Sequence, residues 1–433
     1  MPSVLHVEPP ISAVQTRPET GLVERSLGTI SVVGSDFVKT LLPKWMRYPV
    51  PMMSEMEFAG RSDERIKLSV DWICRSQDAT SDNGSSKGHH LLKGTMASYP
   101  ETTGYIIPTL YDASTYLGDP TLRNRCLRMA DWLVAIQLDN GAFQGGAVDL
   151  PPVPTVFNTG QIIFGLLRAH AESDDGSDGN YLAAAKRAGD FLVNVQDADG
   201  AWRRHDYLDI PHVYSVRVAW SLLLLARATG DERYFESGVA NMNWALTQQQ
   251  PNGWFANNNF KPGELPNTHG IAYVTQSLVE GGVLTGDERY IESAKNVADR
   301  LLRRFEMRGR IGGVHTNDWK SPKSHTCVTG NIQLAITWLR LHQIRGDVQY
   351  LNAALRMVDQ VCEIQRTTGP AGIAGGIPGS MPTWGGYAPL QYPNWAVKFW
   401  LDLLLLTEDV MADYSDASAT PARRPLPHDR YNG

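Results

Sequence analysis

Two helical patterns of apolar and polar positions take turns along this chain. The first is amphipathic. Leu122, Cys126, Met129, Leu133 and Ile136 fall on one stripe, with Arg123, Arg125 and Arg128 elsewhere. That is the 3.6-residue period of a helix with one wet face. The second pattern is apolar nearly all round, over 105–117, 161–170, 216–228, 271–284, 331–342 and 396–406. A helix of that kind is buried on every side. The two patterns alternate six times, which predicts six hairpins, each with an outer helix followed by an inner one.

Each outer helix ends in a recurring signature: an acid or amide, usually an aromatic next, and a glutamine six positions after the acid. It reads Asp71-Trp72…Gln77, Asp131-Trp132…Gln137, Asp190-Phe191…Gln196 and Asn243-Trp244…Gln249, with degenerate copies Asp299…Phe305 and Asp359…Gln365. Successive acid or amide positions lie 60, 59, 53, 56 and 60 residues apart. A period of this size across nearly the whole chain implies a repeat architecture. Glycine and aspartate mark the turns after the inner helices, at Gly118-Asp119, Gly230-Asp231, Gly286-Asp287 and Gly346-Asp347. They supply a C-cap and the next N-cap. The outer-to-inner turns run to about 20–30 residues and are rich in Trp, His, Asn and Gly, as functional loops are. The predicted fold is all-α: a single (α/α)6 toroid over residues 61–410 with one plain and one decorated face. An irregular, proline-rich segment is expected over 1–60 and a disordered tail over 411–433.

Composition adds exclusions. The 433 residues are 42% apolar and 20% charged, with a net charge of -6, which makes no case for a nucleic-acid surface. The longest apolar run, around 222–225, is far too short to span a membrane. The start MPSVLHVEPP lacks the pattern of a secretory leader. Of the four cysteines Cys74, Cys126, Cys327 and Cys362, three fall on core positions of outer helices. That usage predicts a reduced, cytoplasmic protein.

The stretch Arg187-Ala188…Phe191-Leu192…Gln196…Gly200-Ala201-Trp202 resembles the QW repeat of triterpene cyclases, and Arg128…Trp132-Leu133…Gln137…Gly141-Ala142-Phe143 is a near match. The resemblance implies a structural role, with the glutamine bonding backbone at the next helix. The acid motif DxDD of such cyclases is absent; the nearest run, Asp174-Asp175-Gly176-Ser177-Asp178, is expected in a plain-face loop. As a whole the layout is similar to the six-hairpin glycosidase and polysaccharide-lyase toroids, and to uncharacterised proteins encoded with polysaccharide biosynthesis genes. That likeness implies an enzyme acting on a saccharide, as lyase, epimerase or hydrolase.

The inner helices begin with polar side chains that a toroid converges on one funnel. Such N-termini favour anions. Glu101, Tyr105, Tyr214 and His269 are candidate proton-transfer groups for abstraction alpha to a uronate carboxylate. Substrate-binding candidates are Asn158, Gln161, Arg217, Tyr273, Trp319, His325, Asn331, Trp384, Tyr387 and Asn394. Arg217 lies among Val216, Val218, Ala219 and Trp220, so it must either pair with a neighbour such as Glu101 or line the cavity. The cavity is expected on the long-loop side, lined by Glu101, Tyr105, Asn158, Arg217, His269 and Trp319. For hydrolysis, which needs two carboxyls about 5–10 Å apart, Glu101 with Asp206 or Asp318 is the available pair. Zinc-ligand spacing is weak, confined to His325 and Cys327 with His315 and Asp318 nearby, so neither metal nor cofactor is expected. The expected ligand is an acidic saccharide. An isoprenoid cyclase, which would need a largely aromatic cavity, and a non-catalytic saccharide-binding protein are the alternatives. The sequence leaves oligomeric state open.

Overall fold

The computed structural model describes residues 55–173 and 180–415, together with Val32. The expected tail beyond 415, most of the expected N-terminal segment and the run 174–178 lie outside the described residues. Among the described residues, twelve α-helices between Glu55 and Ser415 form six hairpins. The outer helices are α1 (Glu55–Asp78), α3 (Thr121–Ala135), α5 (Tyr181–Val195), α7 (Glu232–Thr247), α9 (Glu288–Arg308) and α11 (Val348–Ile364). The inner helices are α2 (Pro100–Leu117), α4 (Val156–Ala171), α6 (Val216–Thr229), α8 (Thr268–Thr285), α10 (Val328–Arg345) and α12 (Asn394–Ser415). Among the described residues, α1 is already helical at Glu55 and α12 continues to Ser415, and Val32 is helical as well.

Each inner helix packs on the next inner helix, and α12 returns to α2, so the ring is closed. Each outer helix packs most heavily on the inner helix before it, across the short turn; α1, which has no such predecessor, packs on α12. The seam is stitched by Trp72 Nε1 donating to the Gly372 carbonyl at 3.0 Å and by Arg75 reaching Ala374. Burial follows the patterning: Leu122, Cys126, Met129 and Leu133 are buried on the inward stripe of α3, while α10 is buried from Val328 to His342. The only sheets among the described residues are small. Strand β1 (Gly88–His90) pairs antiparallel with β2 (Gly94–Thr95) and β5 (Gln391–Pro393), tying the first long loop to the last. Strands β3 (Thr326–Cys327) and β4 (Ser380–Met381) join the fifth loop to the sixth.

The repeated signature stitches hairpin to hairpin. Gln137 Nε2 donates to Gly141 O at 2.8 Å and to Ala184 O of α5 at 2.9 Å. Gln196 repeats this to Gly200 and Ser237, both at 3.0 Å, and Gln249 to Gly253 and Ser293. The acid or amide receives a tyrosine hydroxyl from the next outer helix: Tyr181 on Asp131 at 2.6 Å, Tyr234 on Asp190 and Tyr290 on Asn243, both at 3.0 Å. In the fifth hairpin, where Phe305 replaces the glutamine, Gln360 reaches back from α11 to Gly309 O at 2.8 Å. Gly200 has φ +88, and a Cβ there would sit 2.4 Å from Ala240 O, so the turn admits no side chain. On the plain face, Asp231, Asp287 and Asp347 cap the following helices through Arg233, Arg289 and Gln349 amides, and Gly230, Gly286 and Gly346 take the left-handed cap.

Candidate active site

Among the described residues, two chambers share Tyr105 as a lining residue. The larger, about 1000 Å³, opens among the long loops. Glu101 stands on its wall in the first turn of α2, where the helix dipole favours an acid. The Tyr99 hydroxyl donates to Glu101 Oε2 at 2.5 Å. Burial pushes the Glu101 carboxyl up to about 7, against the pull of the Tyr99 hydrogen bond and the positive charges of Lys87 and Arg217. A second carboxyl, Asp206, enters from the third long loop. Burial also raises it to about 7, although Ser215 Oγ donates to its Oδ2 at 2.7 Å and the Tyr207 amide to its Oδ1 at 2.9 Å. Both groups therefore exchange protons near neutrality, as acid–base catalysis requires.

His269 and Tyr273 lie one turn apart on α8, their rings 4.1 Å between centroids. His269 Nδ1 is 2.5 Å from Gln333 Oε1, an acceptor. With Gln333 Oε1 as acceptor, the neutral histidine carries its proton on Nδ1 and its lone pair on Nε2. Burial holds its pKa down at about 3, opposed by the Gln333 bond, so the ring is neutral. Asn158 is in the first turn of α4, beside the Tyr99 hydroxyl. Tyr214 comes from the short 3-10 turn before α6, stacked on His212 at 4.6 Å. Tyr387, from the sixth loop, accepts from Trp395 Nε1 at 2.9 Å and stands 5.2 Å from His269. Burial lifts the Tyr99, Tyr105, Tyr214, Tyr273 and Tyr387 hydroxyls above the usual phenol range, so all are protonated at neutral pH.

Phe157, Phe260 and Trp395 complete a largely aromatic wall, and Lys87, Arg204 and Lys261 place cations around it. Leu150, Val153, Tyr207 and Leu208, all more than 40% exposed, form an apolar rim. The rim segment is strained: His205, Leu208 and Asp209 have φ of +67, +61 and +53.

Half of the expected site residues thus meet in one chamber: Glu101, Tyr105, Tyr214, His269, Asn158, Tyr273 and Tyr387. The others do not line it. Arg217 and Gln161 lie a turn deeper than Tyr214 and Asn158 on their helices. Arg217 donates from Nε to Gln161 Oε1 at 2.7 Å and lines the second cavity. No ion pair joins it to Glu101 among the described residues. Trp319, His325 and Asn331 belong to the fifth hairpin, which contributes no lining residue. Its loop is pinned by the β3–β4 pairing, and the sixth loop lies over His325, with Gly385 and Gly386 against the imidazole-bearing side chain. Trp319 packs edge-on to Trp254 at 5.4 Å and bonds Asn252 O. Trp384 is 41% exposed on the outside of the sixth loop. Asn394 is a structural anchor, donating to Ser86 O and Thr102 Oγ1, both at 2.8 Å. Of the alternative acids, Asp318 is exposed and ion-paired with Lys320 at 2.7 Å, which draws its pKa down to about 2. His315 is held between Thr268 and Ser321, and Cys327 caps the Gly330 amide. Among the described residues no group of three or more His, Cys, Asp or Glu side chains is placed to hold a metal ion, and no helix is long and apolar enough to cross a membrane. Tyr99, Phe157 and Trp395, which stand at inner-helix starts, and Lys87 in the first long loop line the chamber without being among the expected site residues. The signal for Tyr99 was its place two residues before an acid at a proline-started helix.

No family model matches the chain, and no curated protein matches it. Solved structures do. An unsaturated glucuronyl hydrolase specific for heparin superposes with a TM-score of 0.63 at 13% identity, covering 82% of this chain and 98% of its own. The unsaturated glucuronyl hydrolase from Bacillus sp. GL1, responsible for the degradation of glycosaminoglycan, gives 0.62 at 17% identity, covering 79% and 96%. A sugar epimerase from a ruminal bacterium gives 0.65 at 12% identity, covering 81% and 99%. The chain has the α/α-toroid fold of these proteins over nearly their whole length.

Proposed function

We propose that the protein is a carbohydrate-active enzyme acting on an acidic oligo- or polysaccharide, with Glu101 as its proton donor and acceptor. The observation that carries the proposal is the Tyr99–Glu101 pair: a carboxyl held near pKa 7, with a hydroxyl on one oxygen, facing a chamber large enough for two or more sugar rings. Aromatic walls suit the C–H faces of sugars. Lys87, Arg204 and Lys261 suit a carboxylate or sulfate. Asp206 in the same chamber supports hydrolysis over simple proton abstraction, because glycoside hydrolysis uses two carboxyls. The neutral His269, with its lone pair on Nε2, supports the lyase or epimerase variant. Residence in the cytoplasm is part of the proposal, supported by four cysteines of which none is in a disulfide.

The test is turnover of a panel of acidic oligosaccharides, saturated and with unsaturated uronyl ends, read by mass spectrometry. Hydrolysis or hydration adds water, elimination creates a double bond without added water, and epimerisation leaves mass unchanged. Glu101→Gln should abolish whichever product forms. A second reading rests on the aromatic wall and the protonable Glu101, which also suit isoprenoid cyclisation. Isoprenoid diphosphates in the same panel decide it. Cyclised product with no change in any saccharide would replace the first reading.

A further inference from the structure

The second chamber, about 370 Å³, is lined by residues of all six inner helices and reaches the last turns of α2 at Thr115 and Tyr116. Tyr105 lines both chambers and forms part of the wall between them. This chamber is rich in charge, yet most of that charge is matched internally. Arg340 grips Glu280 through Nε and Nη2 at 2.7 and 3.0 Å. Lys398 bonds Asp402 Oδ2 at 2.5 Å, and Thr109 donates to the other oxygen at 2.6 Å. Asp112 pairs with Arg168 at 3.0 Å.

Arg217 breaks the pattern. It is 2% exposed and has no carboxylate partner among the described residues. Its Nε and Nη1 donate to the neutral oxygens of Gln161 at 2.7 Å and Gln276 at 3.4 Å. Four ring faces surround the guanidinium at 4.9–5.5 Å: Phe164, Trp220, Tyr273 and Phe399. Cation–π contacts soften the burial of the charge without cancelling it. Trp220, also a lining residue, has a buried indole N–H without an acceptor. The charged acceptors named above already have donors, while the Arg217 guanidinium meets only neutral oxygens and the Trp220 N–H meets none. The imbalance calls for an acceptor brought from outside.

We infer that this chamber is a second binding site, which takes a small carboxylate of about monosaccharide size with its anion on Arg217. The volume is at the lower end of small-molecule sites, about 300–1,000 Å³, and a planar guanidinium matches a carboxylate bidentately. This site is distinct from the Glu101 chamber and does not depend on the catalytic reading. The shared Tyr105 wall gives each chamber a contact through which to sense the other.

The experiment soaks crystals of the wild-type protein in D-glucuronate and titrates the protein with D-glucuronate and D-glucose by calorimetry. Density beside Arg217 is expected, with a class of glucuronate site that glucose does not fill. Arg217→Lys should weaken that class about tenfold, because the fork is lost while the charge remains. Leu405→Trp, which fills the chamber, should remove it, and Glu101→Gln should retain it. Density confined to the long-loop chamber, or no glucuronate beside Arg217, overturns the inference whether or not the variants fold. Ligand at Arg217 without turnover of any saccharide would sink the catalytic proposal alone; turnover with an empty Arg217 chamber would sink this one alone.

Discussion

Replacing Glu101 with glutamine should make the protein more stable at alkaline pH while removing its activity. The folded protein holds this carboxyl at about 7 against a usual value of 4.5. A carboxyl with a raised pKa binds its proton more tightly folded than unfolded. Below pH 4.5 it is protonated in both states and costs nothing. Between pH 4.5 and 7 stability falls as pH rises, and above pH 7 the full penalty stands. The span corresponds to about 3 kcal/mol. Glutamine keeps the shape and an oxygen for the Tyr99 hydroxyl, but has no charge to desolvate. Denaturant unfolding of wild type and Glu101→Gln at pH 4.5, 6, 7 and 8 should therefore show curves that nearly coincide at the lowest pH. They should separate to about 3 kcal/mol, in favour of the variant, at pH 8. A Glu101→Gln protein that is less stable than wild type at every pH would refute the reasoning. It would mean that Glu101 is an ionised structural anchor with a hidden cationic partner, and no acid–base group.

Tyr99→Phe removes a hydrogen bond that favours the ionised carboxyl, so the Glu101 pKa should climb further and the alkaline limb of the kcat profile should move to higher pH; an unmoved limb would assign that limb to another group. Arg340→Ala should destabilise by about 3–5 kcal/mol, because it strands the buried Glu280, whereas the double change Arg340→Met with Glu280→Leu should cost much less; thermal unfolding of both variants compares them. Gln196→Ala should cost about 2 kcal/mol, since the Gly200 and Ser237 carbonyls lose a shared donor; denaturant midpoints report it. Gly200→Ala should destabilise by more than about 1 kcal/mol through its positive φ and the contact with Ala240 O, also read from midpoints.

The ring was legible because burial leaves a periodic trace. The stripe on α3 and the all-round apolar run of α10 needed no tertiary knowledge to separate outside from inside. The Asp…Gln signature was legible as a repeat, and the glutamine's bond to the next helix followed from the resemblance. The tyrosines that complete it, Tyr181, Tyr234, Tyr290 and Tyr350, the last donating to Asp299, stand in plain view near the outer-helix starts. Nothing local says that each hydroxyl crosses to the previous helix. The site was half legible for a geometric reason. Polar residues at helix starts point to a shared mouth, but one turn of helix carries a side chain about 5.4 Å along the axis. That step separates Tyr214 from Arg217 and Asn158 from Gln161, and it moves Arg217 past the Tyr105 wall into the other chamber. Loop placement was the second blind spot. The sixth loop settles over His325 by a two-residue strand pairing too short to leave a pattern in sequence.

The pairing of α1 with α12 sets the order in which the molecule can become whole. Every other outer helix meets its inner partner across a short turn, a contact that closes at little entropic cost and early in folding. The bonds from Trp72 to Gly372 and from Gln365 to Ser69 join residues 300 and 296 positions apart. A ribosome emitting this chain releases α1 first and its partner last. Until then the apolar stripe of α1 and the last inner face wait without cover, the exposure that invites association with other chains. A permuted chain that begins at α2 and carries α1 after α12, joined by a short linker, would turn that longest wait into one more local turn.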